Sequence, residues 1–180
     1  MKVTPAAIPD VLVLEPRRFG DERGWFMEIY NRRVFREAGL DVEFVQDNVS
    51  RSAKNVLRGL HYQIRQPQGK LVRVLAGAIW DVAVDLRRSS RTYGKWAAIE
   101  LSAQSPRLAW IPPGFAHGFL VTSDAAEVQY KTTDYYAPEH ERAVRWDDPD
   151  LAIAWPLSGE PILADKDRRA APLASAETYA

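Results

Sequence analysis

One short stretch of the sequence combines a potential base with a fixed positive charge. Residues 56–63 read Val-Leu-Arg-Gly-Leu-His-Tyr-Gln, a composition typical of a β-strand. Strict alternation would place Arg58 and His61 on opposite faces. The intervening Gly59 is typical of a β-bulge, which would turn both side chains toward one cavity. Histidine titrates near neutral pH, so such a pair could remove a proton beside a bound anion. Taken alone, the stretch is better explained as a half-buried strand whose His61 hydrogen-bonds a neighbouring carbonyl than as part of such a site.

Other residues of chemically useful types also have ordinary alternatives. Lys70 begins a strand and shares a face with valines, so it is either a strand-end surface lysine or a charge that points into a cavity. Tyr130 is a candidate proton donor or a core tyrosine with a bonded hydroxyl. Asp167 alone reads as a carboxylate at the start of a helix. Gln46 and Asn48 either offer paired amides from one strand face or belong to a polar turn.

Composition limits the function classes that fit. The chain has 180 residues, which predicts one domain over 1–180 with enough core to fold without disulfides. Lysine plus arginine and aspartate plus glutamate each number 24, so the net charge is zero and no bulk nucleic-acid or membrane-surface binding is expected. There is no cysteine, hence no disulfide framework and no thiolate site. We see no signal peptide or membrane span, and we expect a cytoplasmic protein.

The elements that must position these residues are mostly strands. Short runs with strand composition are separated by glycine and proline turns, and helix signals are few, which predicts an all-β sandwich or barrel. Asn31 is expected to cap a short helix that Gly39 ends. A charged loop is expected at 19–24, a hairpin turn at 76–78, and a loosely held tail from 170 to 180. The predicted strands are residues 11–14, 25–30, 43–48, 56–63, 70–75, 79–85, 93–101, 107–111, 112–121 and 126–136.

The segment Pro-Gly-Phe-Ala-His that ends at His117 resembles the second motif of cupin jelly rolls. Metal-dependent cupins carry two histidines two residues apart in the first motif, followed by a carboxylate. Here Gln63 stands at the second histidine position, and the loop that follows supplies Arg65 and Lys70 instead of a carboxylate. Because nearby cations disfavour a further cation, we predict that no metal is bound. A metal-dependent oxygenase is therefore the least favoured function.

Taken together, the motifs resemble the dTDP-4-dehydrorhamnose 3,5-epimerase family from end to end, in order and in spacing. Members of that family are metal-free, cofactor-free cupins. The resemblance implies an all-β, cupin-type jelly roll with short peripheral helices. The only departures are a shorter loop before Lys70 and an extreme C-terminus without motif character. The matching stretches are residues 19–24, 44–48, 55–63, 68–73, 110–112, 114–119, 130–131, 135–136 and 166–167.

The resemblance also implies roles for individual residues. The substrate class is a thymidine-diphosphate 4-keto-6-deoxy sugar, whose ketone acidifies the hydrogens on C3 and C5. His61 would be the base, oriented by Asp167, with Tyr130 the acid and Lys70 the stabiliser of the enolate oxygen. Arg58 suits the diphosphate, and Tyr136 or Phe26 could stack on thymine. The other matched substrate-binding positions are Arg23, Glu28, Gln46, Asp47, Asn48, His117, Glu141 and Lys166.

The resemblance further implies a homodimer. In the family a neighbouring subunit's N-terminal segment completes the pocket, so residues 1–50 are expected to contribute to the dimer and to the nucleotide site. The implied pathway is dTDP-L-rhamnose synthesis for cell-surface polysaccharide. Two alternatives remain: an epimerase that inverts C3 alone for another deoxysugar, which would use the same residues, and a non-catalytic sugar-binding jelly roll, which would not need His61, Lys70, Tyr130 and Asp167 together.

Overall fold

The computed structural model describes all 180 residues and consists mainly of antiparallel strands. Their bounds in chain order are β1 Lys2–Pro5, β2 Leu12–Glu15, β3 Arg18–Asp21, β4 Gly24–Met27, β5 Gln46–Ala53, β6 Leu57–Gln63, β7 Lys70–Ala76, β8 Ala78–Asp85, β9 Trp96–Ser102, β10 Leu108–Ile111, β11 Phe115–Val121, β12 Ala125–Thr132 and β13 Glu141–Ala143. The helices are α1 Arg32–Glu37 and α2 Asp165–Arg168, with 3₁₀ turns at Pro138–His140 and Leu173–Ser175.

Two sheets face each other and enclose the main core. The six-stranded sheet has the order β1-β2-β10-β7-β12-β5, and the five-stranded sheet has the order β13-β6-β11-β8-β9. Buried side chains from both sheets meet between them, including Val72 and Val128 from the first and Ile99 and Phe119 from the second. Apolar side chains that face the space between the sheets drive this packing. The central strands β10 and β11 are buried along their whole length. The predicted all-β jelly roll is confirmed.

The short helix after the first hairpin forms as predicted. The Asn31 side chain accepts hydrogen bonds from the backbone N–H groups of Arg33 and Val34, which satisfies two donors at the start of α1. Phe35 is buried, and Gly39 follows with a positive φ of 88°. No helix of the protein is long and apolar enough to cross a membrane.

Two local predictions are wrong, and one open alternative is resolved. Residues 19–24 are not a loop, since β3 and β4 pair as a hairpin. Of the two alternatives for residues 46–48, the strand is right and the polar turn is wrong, because these residues begin β5. Residues 76–78 are not a hairpin turn between paired strands, because β7 and β8 belong to different sheets. Gly77 makes this crossover at φ 77°, where a Cβ would lie 1.9 Å from the Ala125 carbonyl oxygen, so only glycine fits.

The predicted loose tail is instead packed on the outer side of the five-stranded sheet. Leu173 and Ala176 are buried in a cluster with Tyr62 and Val144. The Tyr179 hydroxyl donates a 2.6 Å hydrogen bond to the Gln63 carbonyl oxygen. The alanine-rich composition hid these few large anchoring side chains.

The β-bulge that Gly59 offered as one of two alternatives for the central stretch is present. His117 of β11 pairs with His61, and Phe119 of β11 pairs with Arg58. Between these two pairs β6 therefore contains one residue more than β11 does, which is a β-bulge. Gly59 has φ 129°, and a Cβ on it would lie 2.5 Å from the Gly118 Cα. The extra residue lets both Arg58 and His61 line the same cavity.

Candidate active site

A cavity of about 590 Å³ brings together most of the predicted site residues. Its walls come from the facing strands β5, β6, β7, β11 and β12, from Tyr136 and Glu141, and from the segment 162–167. The predicted residues that line it are Gln46, Asn48, Arg58, His61, Lys70, His117, Tyr130, Tyr136, Glu141, Lys166 and Asp167.

His61 is held by a carboxylate from a distant part of the chain. Its Nε2 lies 2.5 Å from Asp167 Oδ1. Asp167 sits in α2 and is only 1 % exposed, whereas the His61 side chain keeps 21 % of its surface open. Such a carboxylate orients the ring and stabilises the imidazolium, which leaves the other ring nitrogen free for proton transfer.

A second histidine–carboxylate pair lies beside the first. His117 Nε2 is 2.7 Å from Asp81 Oδ2, and both side chains are buried. His117 is the direct cross-strand partner of His61, so the two rings extend from neighbouring positions on one sheet face. Asp81 was missed as a site residue. Its clean alternation with Ala83 along β8 was the one available signal that it points inward.

Lys70 contributes an unpaired ammonium group to the cavity. It is the first residue of β7, and its Nζ has neither a hydrogen bond nor an ion pair within the protein. Burial lowers the pKa of Lys70 to about 8, although the negative charges of Asp81 and Glu141 oppose this change. The group is therefore mostly cationic at neutral pH and loses its charge in the mildly alkaline range.

Tyr130 presents a hydroxyl that makes no hydrogen bond within the protein. The residue lies on β12 opposite Asn48 and lines the cavity. Burial raises the pKa of Tyr130 above its usual value, while the positive charges of Arg58 and Lys166 pull it down. Its phenol stays protonated at neutral pH and is able to donate a proton.

Arg58 is oriented but not neutralised. Its Nε donates a 3.0 Å hydrogen bond to the buried Ser52 hydroxyl, and its two terminal nitrogens have no protein partner. A guanidinium held in this way can bind an anion through its free edge. Ser50, on the same strand face, was missed by sequence reasoning. Its hydroxyl oxygen lines the cavity and is buried without any hydrogen-bond partner.

The mouth of the cavity carries an aromatic ring within a polar network. The Tyr136 hydroxyl donates to Glu141 Oε2 at 3.2 Å, and Lys166 Nζ lies 2.8 Å from Glu141 Oε1. The Tyr136 backbone N–H donates to Gln46 Oε1 at 3.0 Å, and Gln46 Nε2 donates to Asn48 Oδ1 at 2.9 Å. Tyr136 is 52 % exposed, so its ring is open to a planar ligand.

Comparison with known proteins identifies the family. The family model for dTDP-4-dehydrorhamnose 3,5-epimerase matches residues 5–175. The chain belongs to this family. It is 60 % identical over 180 residues to the dTDP-4-dehydrorhamnose 3,5-epimerase of Pseudomonas aeruginosa, with 99 % of each chain covered.

Two solved structures show how this epimerase fold is used elsewhere. One is a dTDP-6-deoxy-D-glucose-3,5-epimerase from Legionella pneumophila in complex with dTDP-4-keto-L-rhamnose. Its TM-score is 0.95 at 48 % identity, with 98 % of this chain and 94 % of that chain covered. The other is a 3′-monoepimerase from Streptomyces bikiniensis in complex with dTDP-quinovose. Its TM-score is 0.89 at 37 % identity, with 95 % and 87 % covered.

Four predicted binding residues of this epimerase lie outside the cavity. Arg23 forms an exposed 2.5 Å ion pair with Asp21, and Phe26 is 68 % exposed on the same hairpin. Glu28 accepts a hydrogen bond from the Asn31 amide. Asp47 points to the other face of β5, where Lys131 Nζ lies 2.6 Å away. Within a single chain, these four side chains do not meet the others.

The described side chains of this epimerase form no group of three or more histidine, aspartate or glutamate residues suited to a metal ion. Each cavity histidine is committed to its own carboxylate. Gln63, at the position where metal-dependent cupins place a histidine, does not line the cavity.

Proposed function

We propose that this protein inverts C3 and C5 of dTDP-4-dehydro-6-deoxy-D-glucose and so forms dTDP-4-dehydro-L-rhamnose for dTDP-L-rhamnose synthesis. The observation that carries the proposal is the His61–Asp167 pair in one cavity with the unpaired groups of Lys70 and Tyr130. Family membership supports the substrate class, since the relatives carry that activity in their names.

The chemistry needs a base, an acid on the opposite face and a group that stabilises an enolate. The C4 ketone acidifies the hydrogens at C3 and C5, so His61 takes a proton from each carbon in turn. The charge that develops on the C4 oxygen is stabilised by the Lys70 ammonium, which makes no direct ion pair with a carboxylate of the protein. Tyr130 returns a proton from the other face, and the configuration inverts. Before the second carbon reacts, His61 releases its proton to solvent and the Tyr130 phenolate takes one up.

The remaining cavity residues bind the nucleotide. Arg58 holds the diphosphate through its free guanidinium edge, and Lys166 adds positive charge at the mouth. Tyr136 stacks on thymine, and the linked amides of Gln46 and Asn48 hydrogen-bond the base edge. His117 and Glu141 complete the polar lining.

A second copy of the chain completes this site. Arg23, Phe26 and Glu28 lie on or beside a hairpin that pairs with no other strand of its own protomer. The hairpin exposes Phe26 and Trp25, whose side chains are 68 % and 60 % open, an apolar surface that favours burial against a partner. We therefore propose a homodimer in which this hairpin reaches the neighbouring nucleotide site.

Product analysis tests the proposed reaction. The purified protein, incubated with dTDP-4-dehydro-6-deoxy-D-glucose and a chelator, is expected to form the L-rhamno isomer detected by proton NMR. No metal is required, because the acid, base and enolate stabiliser are all side chains. Unchanged substrate with a folded protein that binds dTDP would support a non-catalytic binding module and contradict the proposal. Activity lost with the chelator and restored by a divalent ion would contradict the metal-free mechanism.

The Lys70 charge predicts how turnover depends on pH. An amine with a pKa of about 8 is cationic below that pH and neutral above it, so enolate stabilisation declines as the pH rises through about 8. We expect the turnover number to fall in this range. The Lys70→Gln variant is expected to be slower by about 10²-fold at pH 7 and to lack this decline. An alkaline decline that persists unchanged in Lys70→Gln would show that another group causes it.

A further inference from the structure

The side chain of Gln63 is buried and fully hydrogen-bonded to two loops. Gln63 ends β6 and is 4 % exposed. Its Nε2 donates to the Gln66 carbonyl oxygen at 2.8 Å and to the Tyr135 carbonyl oxygen at 3.2 Å. Its Oε1 accepts the Ala137 backbone N–H at 2.9 Å. Both N–H groups and the oxygen of this amide are therefore bound to backbone groups of the two loops, and none is directed into the cavity.

These contacts bracket Tyr136. The Tyr135 carbonyl precedes Tyr136 and the Ala137 amide follows it, and one glutamine side chain binds both. Gln46 binds the Tyr136 backbone N–H from β5 in the opposite sheet. Glutamines from both sheets thus hold the backbone of a single residue at the cavity mouth.

We infer that Gln63 is a positioning residue that fixes Tyr136 for nucleotide binding. This inference rests on the proposed function, in which Tyr136 stacks on thymine. Residues 133–137 follow the end of β12 at Thr132 and form no helix or strand. Both Tyr135 and Tyr136 are more than half exposed. Little apolar burial holds it in place, so its conformation depends on the hydrogen bonds that its backbone makes.

Preorganisation explains why this matters for affinity. A ligand that binds only one loop conformation loses affinity in proportion to the fraction of molecules in that conformation. Loss of the Gln63 amide frees the backbone on both sides of Tyr136 while the ring, Glu141 and the Gln46 contact remain. The expected consequence is weaker nucleotide binding with little change in the proton-transfer residues, which lie on the strands and on α2.

The Gln63→Met variant tests this role, because methionine has a similar length and no amide. We expect its Kd for dTDP, measured by calorimetry, to rise by about 10-fold. The KM of the sugar nucleotide should rise similarly, with the turnover number within about 2-fold of wild type. Gln104→Met is the control, since Gln104 lies on the exposed loop after β9, outside the cavity lining, and its side chain makes no hydrogen bond within the protein. The control should leave the Kd unchanged.

A double-mutant cycle separates positioning from general stability. If Gln63 acts through Tyr136, adding Gln63→Met to Tyr136→Ala causes no further rise in Kd. Losses that multiply, or a wild-type Kd in a folded Gln63→Met protein, would overturn the inference. If Gln63→Met does not fold, Gln63→Asn takes its place, because it keeps the polar amide but is one methylene too short to reach the backbone partners of both loops.

Amide exchange provides a measurement that needs no ligand. In the wild-type protein the Ala137 amide should exchange slowly, and Gln63→Met should accelerate it at least about 10-fold. Equal exchange rates in the two proteins would contradict the positioning role of Gln63. If the wild-type protein fails to bind dTDP but Gln63→Met accelerates exchange of the Ala137 amide, the proposed function is wrong while the effect of Gln63 on the backbone beside Tyr136 is confirmed.

Discussion

Replacing His61 with asparagine is expected to lower the turnover number by about 10²–10⁴-fold or more. Asparagine is smaller than histidine and its amide ends near the position of Nδ1, short of the Asp167 carboxylate that Nε2 contacts, so the folded state of the variant is verified by circular dichroism before turnover is compared. Asparagine cannot accept a proton near neutral pH, and enolate formation therefore loses its base. The affinity for dTDP should change little, because Arg58, Tyr136 and the amides on β5 are untouched.

The sequence offers a matched control for this variant. His140 is the third histidine of the chain and lies on the 3₁₀ turn Pro138–His140, outside the cavity lining. His140→Asn is expected to keep wild-type turnover. A folded His61→Asn protein that still exchanges the protons at both C3 and C5 with solvent would contradict the role of His61 as the base.

Replacing Tyr130 with phenylalanine is expected to separate proton exchange from inversion. His61 can still form the enolate from one face and return a solvent-derived proton to that face. Reprotonation from the opposite face loses its donor, so formation of inverted product should fall by about 10²–10⁴-fold. Deuterium incorporation into the substrate should fall much less. Both quantities are measured in the same NMR sample for the variant and the wild type.

Stability should distinguish a catalytic Tyr130 from a structural one. The Tyr130 hydroxyl makes no hydrogen bond within the protein, so its removal should change the free energy of unfolding by no more than about 0.5 kcal/mol. Tyr93→Phe, whose ring packs on the outer side of the five-stranded sheet, is the control and should keep wild-type inversion. A Tyr130→Phe enzyme with a wild-type ratio of exchange to inversion would show that another group or a water is the acid.

Much of the fold was predictable because strand alternation and glycine turns are local signals. The bulge at Gly59 could be predicted because a glycine inside a strand is typical of a bulge or of a close approach between backbones. The crossover at Gly77 could not be predicted, because the local sequence of a tight turn is the same whether the turn joins two paired strands or strands of different sheets.

The partners of site residues were less predictable than the residues themselves. Asp81 reaches His117 only because β8 and β11 are neighbours, and strand order is a property of the whole chain. Asp167 was predicted from family resemblance alone, since the 106 residues that separate it from His61 leave no local pattern. Gln63 was expected to be notable as a missing metal ligand, yet its contacts depend on how segment 133–137 folds back.

The N-terminal segment shows a different limit of prediction from the sequence. Its hairpin was assigned to a nucleotide site by resemblance, and a single chain does not bring Arg23, Phe26 or Glu28 to the cavity. Exposed aromatic side chains on a hairpin indicate a contact surface, but they do not specify what covers it.

We propose that a single cavity inverts the two carbons on either side of one ketone. Proton NMR of dTDP-4-dehydro-6-deoxy-D-glucose in deuterated water, with catalytic amounts of wild-type protein, tests this directly. We expect deuterium to replace the protons at both C3 and C5 as the L-rhamno product forms. Exchange at C3 alone would assign the protein to C3-only epimerisation, the activity named for the neighbour from Streptomyces bikiniensis, and exchange at neither carbon would contradict an epimerase mechanism altogether.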